Sequence, residues 1–330
     1  MLEQQLRLNP RRAGQLLEQH VTPRKVVIGT RGSDLALWQA NTAAALIDAE
    51  TELSIVKTSG DRFQNIALQG QSTQGFFTKE IELLLLNGEI DVAVHSLKDL
   101  PTEITPGLVL GAYLKRAPVS DLLLVNPDWV AADNLVPLKP GCCVGATSLR
   151  RQALLRLYRP EAEAALLRGN VPSRVEKCRA GEYGAIILAR AGVERLGLKL
   201  DDLNVYELDP ELWLPAPGQG AVAIQVRAGD AELLDLLEKA NDSPTRRAAD
   251  LERRLLANFE GGCHTAFGAW ARDLGAAWDL SIGLEDERGW RAYRTAGSYE
   301  ELERIGPASG IEFSPPSVGP QEALCRPIRW

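Results

Sequence analysis

From residue 25 to about residue 240, short apolar runs rich in β-branched residues alternate with longer stretches of helical periodicity. That alternation predicts α/β layers rather than an all-helical or all-strand chain. Residues 25–29, 54–58, 91–95, 108–113 and 121–125 read as strands. Residues 34–49 place Leu35, Leu37, Trp38, Leu46 and Ile47 at helical spacing, with Ser33 positioned as the N-cap. A second helix over 75–86 is ended by Asn87-Gly88.

The pattern restarts after Pro118, with strands at 142–145, 165–168 and 185–188 and helices at 149–158 and 172–179. The Pro/Gly-rich segment Leu214-Pro215-Ala216-Pro217-Gly218-Gln219-Gly220 crosses back, and 221–227 reads as a strand rejoining the first unit. A helix over 245–259 then leads to antiparallel-type strands at 278–284 and 290–295 and a short helix near 299–304. The tail from Phe313 holds four prolines and predicts no element. The expected division is an N-terminal extension at 1–24, a first α/β domain at 25–117 with 219–240, a second at 118–218, and a small α+β domain at 241–330.

Both α/β units open alike. A strand runs into Gly29-Thr30-Arg31-Gly32-Ser33 and a helix; another runs into Gly145-Ala146-Thr147-Ser148 and a helix that begins with Arg150 and Arg151. Each turn sets backbone N–H groups, a hydroxyl and an arginine beyond the carboxyl end of a strand, where α/β folds bind anions. His95-Ser96-Leu97-Lys98-Asp99 delivers an ammonium and a carboxylate to the same kind of edge, as Arg168-Gly169-Asn170 and Arg174 deliver two guanidiniums. A capped turn or a surface ion pair explains any one of these alone. Five arginines converging on one cleft need anions to neutralise them, so the ligand carries several negative charges. Cys263, after Gly261-Gly262 and before His264, sits on a flexible turn that suits a reactive thiol.

Composition narrows the class. The 330 residues carry a net charge of −7, which argues against nucleic acid as a partner, yet 28 of the 37 basic residues are Arg, the side chain suited to carboxylates. Five cysteines without C-x-x-C spacing point to reduced thiols, and the three histidines are not spaced for a metal site. No apolar run is long enough to span a membrane, and the first two dozen residues lack a signal-peptide core, so a cytoplasmic protein is expected.

Six ordered segments, Thr30-Arg31-Gly32-Ser33, Val94-His95-Ser96-Leu97-Lys98-Asp99-Leu100-Pro101, Ser148-Leu149-Arg150-Arg151-Gln152, Leu167-Arg168-Gly169-Asn170-Val171, Pro217-Gly218-Gln219-Gly220-Ala221 and Glu260-Gly261-Gly262-Cys263, resemble motifs of the porphobilinogen deaminase family over roughly residues 25–268. The resemblance implies two hinged α/β domains like those of periplasmic binding proteins and a small α+β domain carrying the cysteine. It implies a hydroxymethylbilane synthase, a transferase of porphyrin (haem) biosynthesis that joins four porphobilinogens into linear hydroxymethylbilane with release of ammonia. Cys263 is then the thioether anchor of a dipyrromethane cofactor, and Asp99 the catalytic carboxylate. Lys98, Ser148, Arg150 and Arg151 bind the cofactor; Arg31, Ser33, Arg168 and Arg174 bind substrate. The implied partner is porphobilinogen, with no metal, nucleic acid or membrane, and the implied form is a monomer. A homologue that binds a tetrapyrrole precursor or polycarboxylate without turnover is the second reading. It is favoured by residues 68–75, which lack the lysines common in the family's loop, and by Ala146 in place of a hydroxyl residue; retention of Cys263 and Asp99 favours the enzyme.

Overall fold

The computed structural model describes residues 24–58, 78–259, 266–316 and 323–330. The first lobe runs β1 (Val26–Thr30), α1 (Asp34–Ala44), β2 (Thr51–Ile55), α2 (Lys79–Asn87), β3 (Val92–Ser96) and β4 (Leu108–Tyr113). The second runs β5 (Asp121–Val125), β6 (Cys143–Gly145), α3 (Leu149–Tyr158), β7 (Glu163–Ala165), α4 (Val171–Arg179), β8 (Ala185–Ala189), α5 (Arg190–Leu196) and β9 (Asn204–Leu208). The chain returns through β10 (Val222–Arg227) and α6 (Ala231–Glu238) and continues into α7 (Ser243–Phe259). Last come β11 (Phe267–Asp273), β12 (Trp278–Asp286), β13 (Gly289–Gly297), α8 (Tyr299–Leu302) and β14 (Cys325–Pro327).

One strand plan is used twice. The first sheet has the order β2-β1-β3-β10-β4, and the second, read from its other edge, β7-β6-β8-β5-β9 before β14. In each, three parallel strands meet one strand that arrives antiparallel from the other lobe: β10 beside β3 and β4, β5 beside β8 and β9. These two arrivals are buried on both faces because helices cover both sides, as a central strand requires. Ile224 and Val226 pack with α1 and α6, while α2 covers the opposite face through Ile81 and Leu85. Leu122 and Leu124 pack against α4 and α5, and Leu123 and Val125 against α3. The third sheet, β11-β12-β13, is antiparallel and packs on α7.

A single carboxylate gathers the crossings. Glu252 of α7 has no solvent exposure. It accepts from both terminal nitrogens of Arg116 (2.8 and 2.7 Å), from the Gly218 amide (2.7 Å) and from the Ala271 amide (3.0 Å). Arg116 lies on the outward crossing and Gly218 on the return one, and Ala271 belongs to the third sheet. Gly220, at φ 87°, lets the return strand pass where a Cβ would stand 2.4 Å from the Ala117 carbonyl.

Several boundaries differ from the sequence expectation. The first helix ends at Ala44, not near 49, because a tight turn (Ala49 N–H to Ile47 O, 2.9 Å) must bring β2 back to pair with β1, Thr51 opposite Val26. The second strand is accordingly Thr51–Ile55, earlier than 54–58. The strand expected at 165–168 is Glu163–Ala165, since its partner β6 has only three residues and the ladder closes at Gly145 opposite Ala165. The tail does not belong wholly with the small domain: β14 hydrogen-bonds to β9 at the edge of the second sheet, Cys325 opposite Leu208. β9, α5 and α6 were not anticipated.

Truncating a buried, fully bonded carboxylate strands Arg116 and two amides. Glu252→Ala is therefore expected to lose about 3–5 kcal/mol of stability, read as a lowered urea midpoint; an unchanged midpoint removes Glu252 as the tie between the crossings.

Candidate active site

The carboxyl ends of β1 and β3 carry one wall of the cleft. Ser33 caps α1, its hydroxyl accepting from the Ala36 amide at 3.4 Å, as its position before an apolar helical run predicts. Beyond β3 a 3-10 turn, Leu97–Asp99, presents Lys98 partly buried and Asp99 exposed. Arg31, Ser33, Gln39, Thr78, His95, Ser96 and Asp99 line a cavity of about 90 Å³. Gln39 donates to the Ser96 hydroxyl at 2.8 Å. Burial, with Arg31 adding to it, pushes the His95 imidazole down to about 4, so it is neutral at pH 7, and among the described residues its Nε2 has no hydrogen-bond partner.

The facing wall comes from the second lobe, and its organiser is a residue the sequence reading passed over. Asp121, at the start of β5, has no exposure and accepts five hydrogen bonds. Arg151 binds it bidentately (Nε 3.1 Å, Nη2 2.6 Å), Arg150 through Nη2 (2.8 Å), Trp213 through its indole N–H (3.1 Å) and Gln219 through its amide nitrogen (3.0 Å). Burial alone raises a carboxyl, but Arg151 and Arg150 beside it hold Asp121 far below the usual carboxylate range. Gln219 also donates to the Val119 carbonyl (2.6 Å), which leaves its amide oxygen to accept from Lys98 of the first lobe at 3.3 Å. The lobes are thus joined through side chains at the site itself.

The sequence-expected residues fall into three groups. Lys98, Asp99, Arg150, Arg151 and Arg174 come together: Lys98 feels the charges of Arg151, Asp99, Asp121 and Arg150, and Arg174 those of Arg151 and Asp99. Arg31 and Ser33 lie with Asp99 around the small cavity. Ser148 stands at the start of α3 without a capping bond from its hydroxyl, unlike Ser33, and Arg168 sits in the loop after β7, its carbonyl accepting from Lys177 at 3.3 Å. Cys263, His264 and the loop at 68–75 lie outside the described residues. Arg195, unanticipated, bridges the lobes: its guanidinium stacks 5.3 Å over Trp38, donates to the Gly220 carbonyl at 2.7 Å, and is lowered to about 10 by burial.

The arginine pair is not the open anion trap that the sequence suggests, because Asp121 already neutralises part of it. A surplus of positive charge remains. Burial and Arg151 push the Lys98 ammonium down to about 8 and the Arg174 guanidinium down to about 10, and the buried Nε of Arg150 has no acceptor among the described residues. Orphan donors and crowded like charges suit a ligand bearing several carboxylates, so these residues fit a carboxylated pyrrole cofactor.

Fold and site together define a two-lobed α/β protein with a cationic cleft beside the exposed carboxylate of Asp99. Residues 26–235 match the family model described as porphobilinogen deaminase, dipyromethane cofactor binding domain. A porphobilinogen deaminase of Syntrophomonas wolfei is 42% identical over 73% of this chain and 78% of its own length. Those of Nitratidesulfovibrio vulgaris and Syntrophobacter fumaroxidans are 44% and 39% identical, over 73% and 89% of this chain and 75% and 95% of theirs. The chain belongs to the porphobilinogen deaminase family.

In cofactor-free protein (Cys263→Ala), Lys98 is expected to give up its proton near pH 8 when folded and near 10.5 when unfolded. The unfolded chain then binds more protons between those values, so stability rises with pH across that window. Urea unfolding from pH 7 to 10, beside the same chain carrying Lys98→Met, should show the rise only where Lys98 is present. Parallel curves make Lys98 an ordinary solvated lysine.

Proposed function

We propose that in this chain Asp99 and the cations of the two lobes carry out the porphobilinogen deaminase reaction, the joining of four porphobilinogens into linear hydroxymethylbilane with release of ammonia. The observation that carries the reading is the convergence of Lys98, Arg150, Arg151 and Arg174 from opposite lobes around one exposed carboxylate. Covalently held through the Cys263 sulfur, the dipyrromethane supplies the pyrrole end to which the growing chain is joined. Lys98, Ser148, Arg150 and Arg151 bind its acetate and propionate groups. Arg31, Ser33, Arg168 and Arg174 hold those of the incoming pyrrole, which fixes its orientation before any bond changes.

As the aminomethyl C–N bond of porphobilinogen breaks, the electron pair leaves with ammonia and positive charge spreads into the pyrrole ring. Asp99 accepts the pyrrole N–H and stabilises that charge, an electrostatic role whose value grows as the cleft excludes water. In this reading the same carboxylate takes the proton that the ring carbon releases once the new C–C bond has formed. The neutral imidazole of His95 adds no positive charge to this wall.

The two crossings serve as a hinge between domains 25–117 with 219–240 and 118–218, and the unit from 241 onward carries the cysteine, with its last strand returned to the second lobe. The working form is a cytoplasmic monomer. The binding-protein alternative is not favoured: the chain retains Cys263 and Asp99, and its curated relatives carry the name of the enzyme.

Intact mass of the purified protein is expected to exceed the chain mass by one pyrrole dimer, and the excess to vanish in Cys263→Ala; a bare wild-type mass that porphobilinogen cannot shift refutes the cofactor assignment. Asp99→Asn is expected to keep that excess while turnover drops on the order of 10²-fold or more. Near-normal turnover in the loaded variant takes the catalytic role away from Asp99.

A further inference from the structure

Asp121 touches none of the groups to which the reaction assigns chemistry, yet three of the cofactor-binding cations are arranged around it. Its two oxygens are shared unequally. Oδ1 takes Arg151 Nη2 and the Gln219 amide, and Oδ2 takes Arg150 Nη2, Arg151 Nε and the Trp213 indole. The bidentate pair fixes the plane of the Arg151 guanidinium, whose Nη1 is spent on the Ile187 carbonyl (3.0 Å). Arg150 is pinned between Asp121 and the Leu214 carbonyl (2.6 Å), which leaves its Nε a buried donor with no acceptor among the described residues. Gln219 is held nitrogen-first by Asp121 and Val119, so its oxygen, and not its N–H₂, faces the Lys98 ammonium.

We propose that Asp121 is the positioning residue of the cofactor site: its carboxylate aims Arg150 and Arg151 and, through Gln219, draws Lys98 across the hinge, so that cations from two lobes form one receptor for the cofactor's carboxylates. This rests on the reading that Lys98, Arg150 and Arg151 hold the cofactor. Without the carboxylate, two guanidiniums packed side by side lose their shared counter-ion and separate. Arg150 then keeps only the Leu214 carbonyl to hold it.

A simple structural role and a positioning role differ in what survives folding. Asp121→Asn keeps the shape and removes the charge; Trp213→Phe removes one hydrogen bond to the same oxygen and leaves the charge. Both are compared with wild type by circular dichroism, thermal melting and intact mass after expression. Asp121→Asn is expected to fold cooperatively with fewer than about a tenth of its chains carrying the pyrrole dimer, and Trp213→Phe to load like wild type. Arg151→Lys keeps the charge, offers Asp121 only a single point of contact in place of the fork, and is expected to lose loading at least tenfold while remaining folded. It decides the matter where Asp121→Asn does not fold. Folded Asp121→Asn loaded to the wild-type level overturns the proposal, as does Arg151→Lys so loaded. Wild type without the mass excess overturns the cofactor reading itself and the proposal with it; loaded wild type beside loaded variants overturns the proposal alone.

Discussion

A carboxylate sealed from water must find donors for its oxygens, and in this chain Glu252 finds them on every part of the molecule at once. Its four hydrogen bonds go to the outward crossing, the return crossing and the third sheet. The two lobes therefore do not meet as free bodies on a pair of strings. Their connecting segments are tied to the helix α7 through Arg116 and Gly218. Gly218, which this tie holds, lies against the Leu97 side chain just beyond β3, so the tie stands next to the turn that presents Lys98 and Asp99.

Charge in the cleft is balanced by degrees. Asp121 holds Arg150 and Arg151 as a compact group, but Lys98 and Arg174 remain crowded by their neighbours and partly robbed of water. A protein built only for stability gains nothing from such a surplus. A protein built to seize a polycarboxylate gains affinity from it, because ligand carboxylates relieve repulsion and satisfy orphan donors in the same step. Asp99 is left solvent-exposed among these cations, accessible to a group that arrives with its own positive charge.

Local chemistry made much of this legible in advance. Ser33 before an apolar helical run, and Lys98-Asp99 after an apolar strand, announce their positions through capping and strand-end rules that act over a few residues. Asp121 and Glu252 stayed hidden for the opposite reason. Each sits in a segment whose pattern is that of an ordinary strand start or helix interior, and its role is created by residues about 20 to 140 positions away. The arriving strands β5 and β10 were visible as strands, but their antiparallel placement in the middle of each sheet is a property of the crossings. The departure of β14 from the small domain has the same origin: a three-residue strand in a proline-rich tail carries no periodic signal, and its place is set by the free edge of β9.

The interleaving of the sheets also sets a timetable for the nascent chain. β3 and β4 are complete by Tyr113, but the strand that pairs them, β10, begins only at Val222. At about 5–20 residues per second, a ribosome needs on the order of 5–20 s to supply it. The second lobe, whose core strands are contiguous from β5 to β9, can assemble during that interval as an insertion within an unfinished first lobe. Even then its β9 edge stays bare until Cys325–Pro327 emerge, long after Leu208. The chain is thus exposed to mispairing at two sheet positions during translation, and β14 acts as the seal on a lobe whose other core strands were synthesised far earlier.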